Sequence, residues 1–485
     1  MKMAMITGIY YSFRGANDMV FNVGGKTKPK EKQQKVYDDL SDITIYDLNQ
    51  YFEGPKIYNR MTHRFEVRPV IGNESARLLS TLAWFVKRSP VILEGESGSA
   101  KSEIQNAIIV LIFGDEGLDG ENPSLYFIDT GTDQVQFRKQ EDVKITTHGF
   151  IPELQNAVNF FDMIKKWCEG KTFKRDVTKG DSFKSYRLPP RPILTCLAIN
   201  NDKIKELPSE IVRRFIHIWT SVSMNINEKV QRRKGEIRAL PDHELPTMDP
   251  VRQDMLKTKL ISASKEKRRV LNPYAPIIQE YLPKNFTRSN TYVDYFFDII
   301  ESITMFYADE RHGTHEYIFS SLEDNFLAIE MAGDIFVNMC LGIQDTGRQI
   351  LDHMNRAGFS AGTLMVDVPD NQLQPVNGYY SVNDIMSLLK DKMGIYRDKT
   401  TTEETVRKLV EAGYLRSRSP KKGKDFYYKT DDIDSEAPKF DWPGWDKFAD
   451  EWMQEHFKND YEPWKKLNRK TAISVFTGKE VNIYD

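Results

Sequence analysis

Cysteine is scarce in this chain: 485 residues hold three, Cys168, Cys196 and Cys340, and no two form a CxxC pair. So few and such scattered thiols support neither a disulfide framework nor a structural zinc site, and a reducing compartment, the cytoplasm, is expected. Long apolar runs are missing too. None approaches the roughly 20 residues a membrane helix needs, so no membrane partner is expected. The opening MKMAMITGIYYSF has one early lysine and a short apolar stretch, but not the small-residue cleavage site of a secretory leader. Charge of one sign is absent as well: 68 Lys and Arg stand against 70 Asp and Glu, a formal net charge of -2. Any preference for nucleic acid therefore has to come from local patches. With 40% hydrophobic and 28% charged residues, the composition is that of an ordinary globular protein, long enough for about three domains.

What is present is concentrated in VILEGESGSAKS, residues 91–102. A β-branched run breaks into the octet Gly95, Glu96, Ser97, Gly98, Ser99, Ala100, Lys101, Ser102, and an apolar helix is expected over 104–113. Small residues let successive backbone N–H groups converge on a phosphate. The Lys101 ammonium then meets the β/γ-phosphates, and the Ser102 hydroxyl can ligate Mg2+. The octet departs from the usual phosphate loop at Ala100, where glycine is normal; alanine preserves the turn there at negative φ.

Residues 1–70 read as an N-terminal extension with a Lys-rich linker, GGKTKPKEKQQKV. From Ile71, NESARLLSTLAWFVKRS predicts an amphipathic helix with an Asn/Ser start, leading through Pro90 into the nucleotide strand. Strand candidates at 125–129, 144–151 and 193–199 alternate with helical text to about Trp219. That alternation predicts a doubly wound α/β core over 71–222. Charged helical text over 223–345 predicts a lid, 379–430 a further unit, and 431–485 an acidic, aromatic tail.

A nucleotide hydrolase needs a carboxylate at the end of a neighbouring strand to polarise water. Glu153, in KITTHGFIPELQ, is the best candidate, with Asp129 and Asp133 as weaker ones. As the bland alternative, Glu153 is a first-turn residue favoured by the helix dipole. The next strand ends in Asn200-Asn201, whose side-chain amide can orient a water or simply form a turn. In LPSEIVRRFIHIW, Arg213 and Arg214 precede a final strand and can reach a γ-phosphate in a neighbouring subunit.

In this order the motifs resemble those of the AAA+ ATPases, and within them the MCM-type replicative helicases, whose phosphate loop also ends Ala-Lys-Ser. The resemblance spans residues 71–430. It implies ATP as the nucleotide, Glu153 at the Walker B glutamate, Asn200 at sensor 1, Arg214 before Phe215 at the arginine finger, and Arg288 at sensor 2. It also implies an AAA+ P-loop NTPase core with a helical lid, a C-terminal winged-helix domain and a hexameric ring. Pro152 stands where the family has an acidic residue, and the family's N-terminal zinc domain is not expected here. This compact form points to a plasmid, viral or integrated-element replication protein. RLLSTLAWFVKRSPVILEGESGSAKS is similar also to MoxR-type protein remodellers, and a replication initiator or loader is a further alternative.

Two segments are expected to meet DNA. GKTFKRDVTKGDSFKSYRLPPR, 170–191, reads as a β-hairpin made basic by Lys171, Lys174, Arg175, Lys179, Lys184, Arg187 and Arg191. A hairpin inserted here resembles the pre-sensor-1 hairpin of ring helicases, which projects into the pore and grips the DNA backbone. Its phosphate contacts are sequence-independent. In 379–430, two helices precede a hairpin with Lys421, Lys422 and Lys424 at its tip, the pattern of a winged helix. The basic runs QRRKGEIR and SKEKRR read as solvated helix faces. The two termini are candidates for docking a polymerase or primase.

Overall fold

An uninterrupted β-branched run suits a strand covered on both faces, and Val91, Ile92 and Leu93 are each fully buried. The computed structural model describes residues 39–95, 97–128, 145–179, 182–198, 209–220, 224–241, 244–245, 247–281, 289–341, 347, 350–351, 354, 363–367, 373–377, 380–393, 398–411, 414–421, 424–429 and 441–484. Helix α1 (Ile45–Tyr51), the hairpin β1 (Lys56–Asn59) and β2 (Arg64–Val67), and α2 (Glu74–Thr81) precede strand β3 (Val91–Gly95). Then follow α3 (Lys101–Phe113), β4 (Leu125–Phe127), β5 (His148–Ile151), α4 (Phe161–Cys168), the hairpin β6 (Phe173–Lys179) and β7 (Ser182–Leu188), β8 (Ile193–Ala198) and β9 (Ile216–Trp219).

The five core strands form one sheet in the order β4-β5-β8-β3-β9, all parallel. β3 pairs with β8 from Val91↔Leu194 to Gly95↔Ala198 and with β9 from Val91↔Ile216 to Glu94↔Trp219. Alternation along β3 sends Val91 and Leu93 into a core shared with α2 and α3. Ile92 goes into a second core with Met163, Ile164 and Trp167 of α4. The chain is thus an α/β protein with helices on both faces of a parallel sheet, as the alternating text predicts.

Among the helices that follow the sheet are α5 (Met224–Ala239), α6 (Pro250–Ser264), α7 (Ser289–Phe306) and α8 (Leu322–Leu341). Apolar residues of α6, α7 and α8 join the α2/α3 core rather than forming one of their own. The segment that reads by composition as an acidic tail also folds onto this core, through α11 (Trp442–His456) and α12 (Lys458–Leu467). Trp445 and Trp464 are buried in it, and Trp464 Nε1 donates to Ser320 O at 3.0 Å. Asp441 caps α11 by accepting from Gly444 N at 3.2 Å.

A smaller unit has its own core of Ile385, Leu388, Leu389, Val406, Leu409 and Leu415. It comprises β10 (Tyr380–Ser381), α9 (Val382–Met393), α10 (Lys399–Glu411), β11 (Leu415–Lys421) and β12 (Lys424–Lys429), with sheet order β10-β12-β11. Ser381 and Asp384 cap α9 reciprocally, Ser381 N donating to Asp384 Oδ2 at 2.8 Å and Asp384 N to Ser381 Oγ at 3.3 Å. Among the described residues, no helix is long and apolar enough to cross a membrane.

The first residue of β5, His148, is 2% exposed and sits among the rings of Trp84, Phe85 and Phe113. Burial, helped by the charge of Arg88, pushes its imidazole down from 6.5 to about 3. Between those values the unfolded chain binds a proton that the folded chain refuses. Stability is therefore lost as pH falls from about 6.5 toward 3, at up to about 1.4 kcal/mol per pH unit. Urea unfolding at successive pH values should show this slope in the wild type and a shallower one in His148→Phe, which keeps a ring in the aromatic nest.

Candidate functional site

The loop after β3 is fixed by what surrounds its glycines. A Cβ on Gly95 would lie 2.2 Å from Thr220 Oγ1 and 2.6 Å from Thr220 O, so no larger residue fits there. Gly98 has φ +83°, which glycine adopts without strain. Ala100 has φ 63° and ψ 18°, which corrects the expectation of a negative φ: the turn is the left-handed one that glycine normally supplies, with the methyl tolerated at a cost. Helix α3 starts immediately after it, Ile104 N donating to Ala100 O at 2.9 Å. The Lys101 ammonium is 7% exposed and donates to Gly95 O at 2.8 Å and to Ser99 Oγ at 3.2 Å. Ser97 and Ser102 are exposed.

Residues far away in sequence hold this loop. Ser99 Oγ lies 2.7 Å from Thr220 Oγ1, at the end of β9, and Thr220 N donates to Glu94 O at 2.7 Å. Asn73, read from sequence as the cap of α2, makes no side-chain cap bond and instead donates from Nδ2 to Ser99 O at 3.3 Å. The Glu94 carboxylate accepts from His217 Nδ1 at 2.9 Å and Trp219 Nε1 at 2.7 Å. Burial pushes the Glu94 carboxyl up, but the His217 charge and the hydrogen bonds from His217 and Trp219 outweigh it and hold it below the usual carboxylate range. Motif spacing gives no hint of Asn73, Glu94, His217 or Thr220.

Glu153 follows β5, two strands from β3, and is exposed; its carboxylate accepts from Gln155 Nε2 at 3.0 Å and Asn156 Nδ2 at 3.1 Å. The preceding Pro152 O accepts from Cys196 Sγ of β8 at 2.9 Å. It also faces Gln105 of α3, whose amide, turned to match its neighbours, donates to Pro152 O at 3.3 Å and accepts from Cys196 N at 3.1 Å. Cys196 feels the charges of both Lys101 and Glu153, and burial pushes its thiol up to about 12. The expected positions Glu96, Asp129, Asp133, Asn200, Asn201, Arg288 and Lys422 lie outside the described residues.

Arg213 is exposed. Arg214 is held within its own chain, by Glu169 Oε1 at 2.8 Å and Glu210 Oε1 at 3.1 Å. In the β6–β7 hairpin, Lys174 stands opposite Arg187, Arg175 opposite Tyr186 and Lys179 opposite Ser182, while Lys184 faces Val177. Lys174 and Arg187 are exposed, and Lys171 pairs with Glu169 at 2.8 Å. Arg191, counted from sequence among the hairpin's cations, is buried, donating to Thr146 Oγ1 at 3.2 Å and Pro190 O at 2.8 Å. Lys421 and Lys424 pair across the β11–β12 hairpin.

A cleft of about 910 Å³ opens beside the start of α3. Ser102 and Asn106 line it together with Ile71, Phe65 of β2, and Ile237 and Arg238 of α5. Lys234 also lines it, so part of the QRRKGEIR run faces the cleft rather than being merely a solvated helix face. The chain matches no protein-family model and no curated protein. The geometry therefore carries the functional reading: a glycine-containing turn, a buried ammonium and a helix N-terminus at one end of a parallel sheet, beside a cleft lined by apolar, acidic and basic side chains.

Left-handed backbone costs a non-glycine residue roughly 1–2 kcal/mol, partly offset by the lower entropy of the unfolded alanine. Ala100→Gly is expected to raise unfolding stability by about 1 kcal/mol, read as a higher denaturant midpoint at unchanged slope.

Proposed function

We propose that the chain is an ATP-hydrolysing AAA+ motor that assembles into a ring, an MCM-like helicase that moves along and unwinds DNA. The observation that carries this reading is the position of the Gly95–Ser102 loop. It leaves β3, an inner strand of the five-stranded parallel sheet, directly into α3, with the carboxyl ends of β8 and β9 alongside. Ligands of open α/β sheets bind at such carboxyl ends, and a helix N-terminus preceded by small residues favours phosphate.

In this reading the loop N–H groups and Lys101 hold the β/γ-phosphates, and the base lies in the cleft between Ile71, Phe65 and Ile237. Mg2+, held by the exposed Ser102 hydroxyl and the phosphates, supplies charge neutralisation when bound. Glu153 accepts the proton of the attacking water; its exposure after β5 and its link through Pro152 to α3 and β8 suit that role. Asn200 orients the water and Arg288 senses the nucleotide. Arg213, exposed, reaches the next subunit's γ-phosphate, while Arg214, braced by Glu169 and Glu210, fixes the turn that presents it.

Lys174 and Arg187 stand opposite each other in the hairpin and both are exposed, so a nucleic-acid backbone is a ligand this hairpin suits. The β10-α9-α10-β11-β12 unit fits a winged helix, with Lys421 and Lys424 paired next to the turn of its hairpin for duplex DNA.

Lys101→Ala should abolish nucleotide binding while leaving the circular dichroism spectrum intact. Glu153→Gln should bind nucleotide but turn it over about 10²–10⁴ times more slowly; hydrolysis at the wild-type rate would remove Glu153 from the mechanism. ATPase rates measured with and without single-stranded DNA at two salt concentrations test the motor. Stimulation that fades with salt and disappears in the Lys174→Ala/Arg175→Ala/Lys179→Ala variant is the expected outcome. Equal rates with and without DNA would point to a protein remodeller instead.

A further inference from the structure

The Lys101 ammonium begins a short chain of hydrogen bonds that ends on the strand it serves. Lys101 Nζ lies 3.2 Å from Ser99 Oγ, Ser99 Oγ lies 2.7 Å from Thr220 Oγ1, and Thr220 Oγ1 lies 3.1 Å from Glu94 O. An ammonium can only donate and a carbonyl can only accept, so the two ends fix the direction of both hydroxyls between them. Lys101 donates to Ser99, Ser99 to Thr220, and Thr220 to the Glu94 carbonyl. Ser99 and Lys101 are buried, and so is Thr220, so a hydroxyl deprived of its acceptor here is not rescued by bulk water.

We propose that Thr220 is a positioning residue for the phosphate loop: by accepting the Ser99 proton it turns the Ser99 lone pairs toward Lys101 and holds the ammonium where the phosphates arrive. The proposal rests on the nucleotide reading given above. It assigns a binding role to a residue that lies beyond the last core strand and outside the glycine-rich octet. The fit is steric as well as polar, because Thr220 is the atom group that a Cβ on Gly95 would strike. Threonine at 220 and glycine at 95 therefore define one contact from its two sides.

Thr220→Val keeps the shape of the side chain and removes the hydroxyl. Full-length protein carrying it should bind a fluorescent ATP analogue about tenfold more weakly, with a matching rise in KM and a kcat within about twofold of wild type. Thr220→Ser, which restores the hydroxyl, should return KM to near the wild-type value. Ser99→Ala cuts the same chain on the other side, so Ser99→Ala/Thr220→Val should be no worse than the weaker-binding single variant. Wild-type nucleotide affinity in Thr220→Val would overturn the proposal and leave the ATPase reading standing, as would additive losses in the double variant. Absence of nucleotide binding in the wild type would overturn both. If Thr220→Val does not fold, Thr220→Ser and Ser99→Ala decide: a KM unchanged by Ser99→Ala, or not preserved by Thr220→Ser, overturns the proposal.

Discussion

A parallel strand buried on both faces can offer its chemistry only where it ends. β3 is such a strand, with β8 and β9 as its two neighbours, and the rest of the site follows from that placement. The chain leaves β3 through α3 for β4 at the far edge of the sheet, and β9 later returns to β3's other side. The loops that follow β3 and β9 are thus brought side by side from positions more than a hundred residues apart, the separation of the Ser99–Thr220 contact being 121. The crevice of a doubly wound sheet opens where neighbouring strands send their chains in different directions.

Two charges are largely withdrawn from water at this end of the sheet, the Lys101 ammonium and the Glu94 carboxylate. A buried charge is tolerated only with hydrogen-bonding partners. The loop's own backbone serves Lys101 through Gly95 O, β9 supplies His217 and Trp219 to Glu94, and Thr220, just after β9, serves the loop. β9 therefore cannot be read as an apolar edge strand that merely completes the sheet. Its inward-facing polar residues are the counterpart of the charges on β3, and an all-apolar β9 would leave Glu94 unpaired.

The core strands were legible because each is a short β-branched or aromatic run bounded by Gly, Pro or polar text. α3 was legible because an apolar run follows the loop directly. Features fixed by tertiary contact were not. The sign of φ at Ala100 depends on how α3 must leave β3, which composition does not encode. Asn73 carries the signature of a helix cap, yet its amide goes to Ser99 O. Arg191 looks like one more cation of the hairpin until the burial of its guanidinium against Thr146 is seen. Residues 442–484 are rich in charged and aromatic side chains, and that composition hides the few tryptophans that dock into the main core.

The root of the basic hairpin gives the motor reading its physical connection. β6 continues from α4 and β7 leads into β8, so both ends of the hairpin are tied to elements of the core that packs on Ile92 of β3. Leu188, the last residue of β7, is fully buried, and Trp167 of α4 donates to its carbonyl at 3.3 Å. Packed interiors transmit displacement because they hold little empty space. On the motor reading a shift of α4 or β8 is passed to the hairpin root, and seven residues of antiparallel strand on each side carry it outward. On the motor reading, the coupling between nucleotide and nucleic acid lies in the packing of α4 and β8 beneath the hairpin, and the hairpin's charges only determine what is moved.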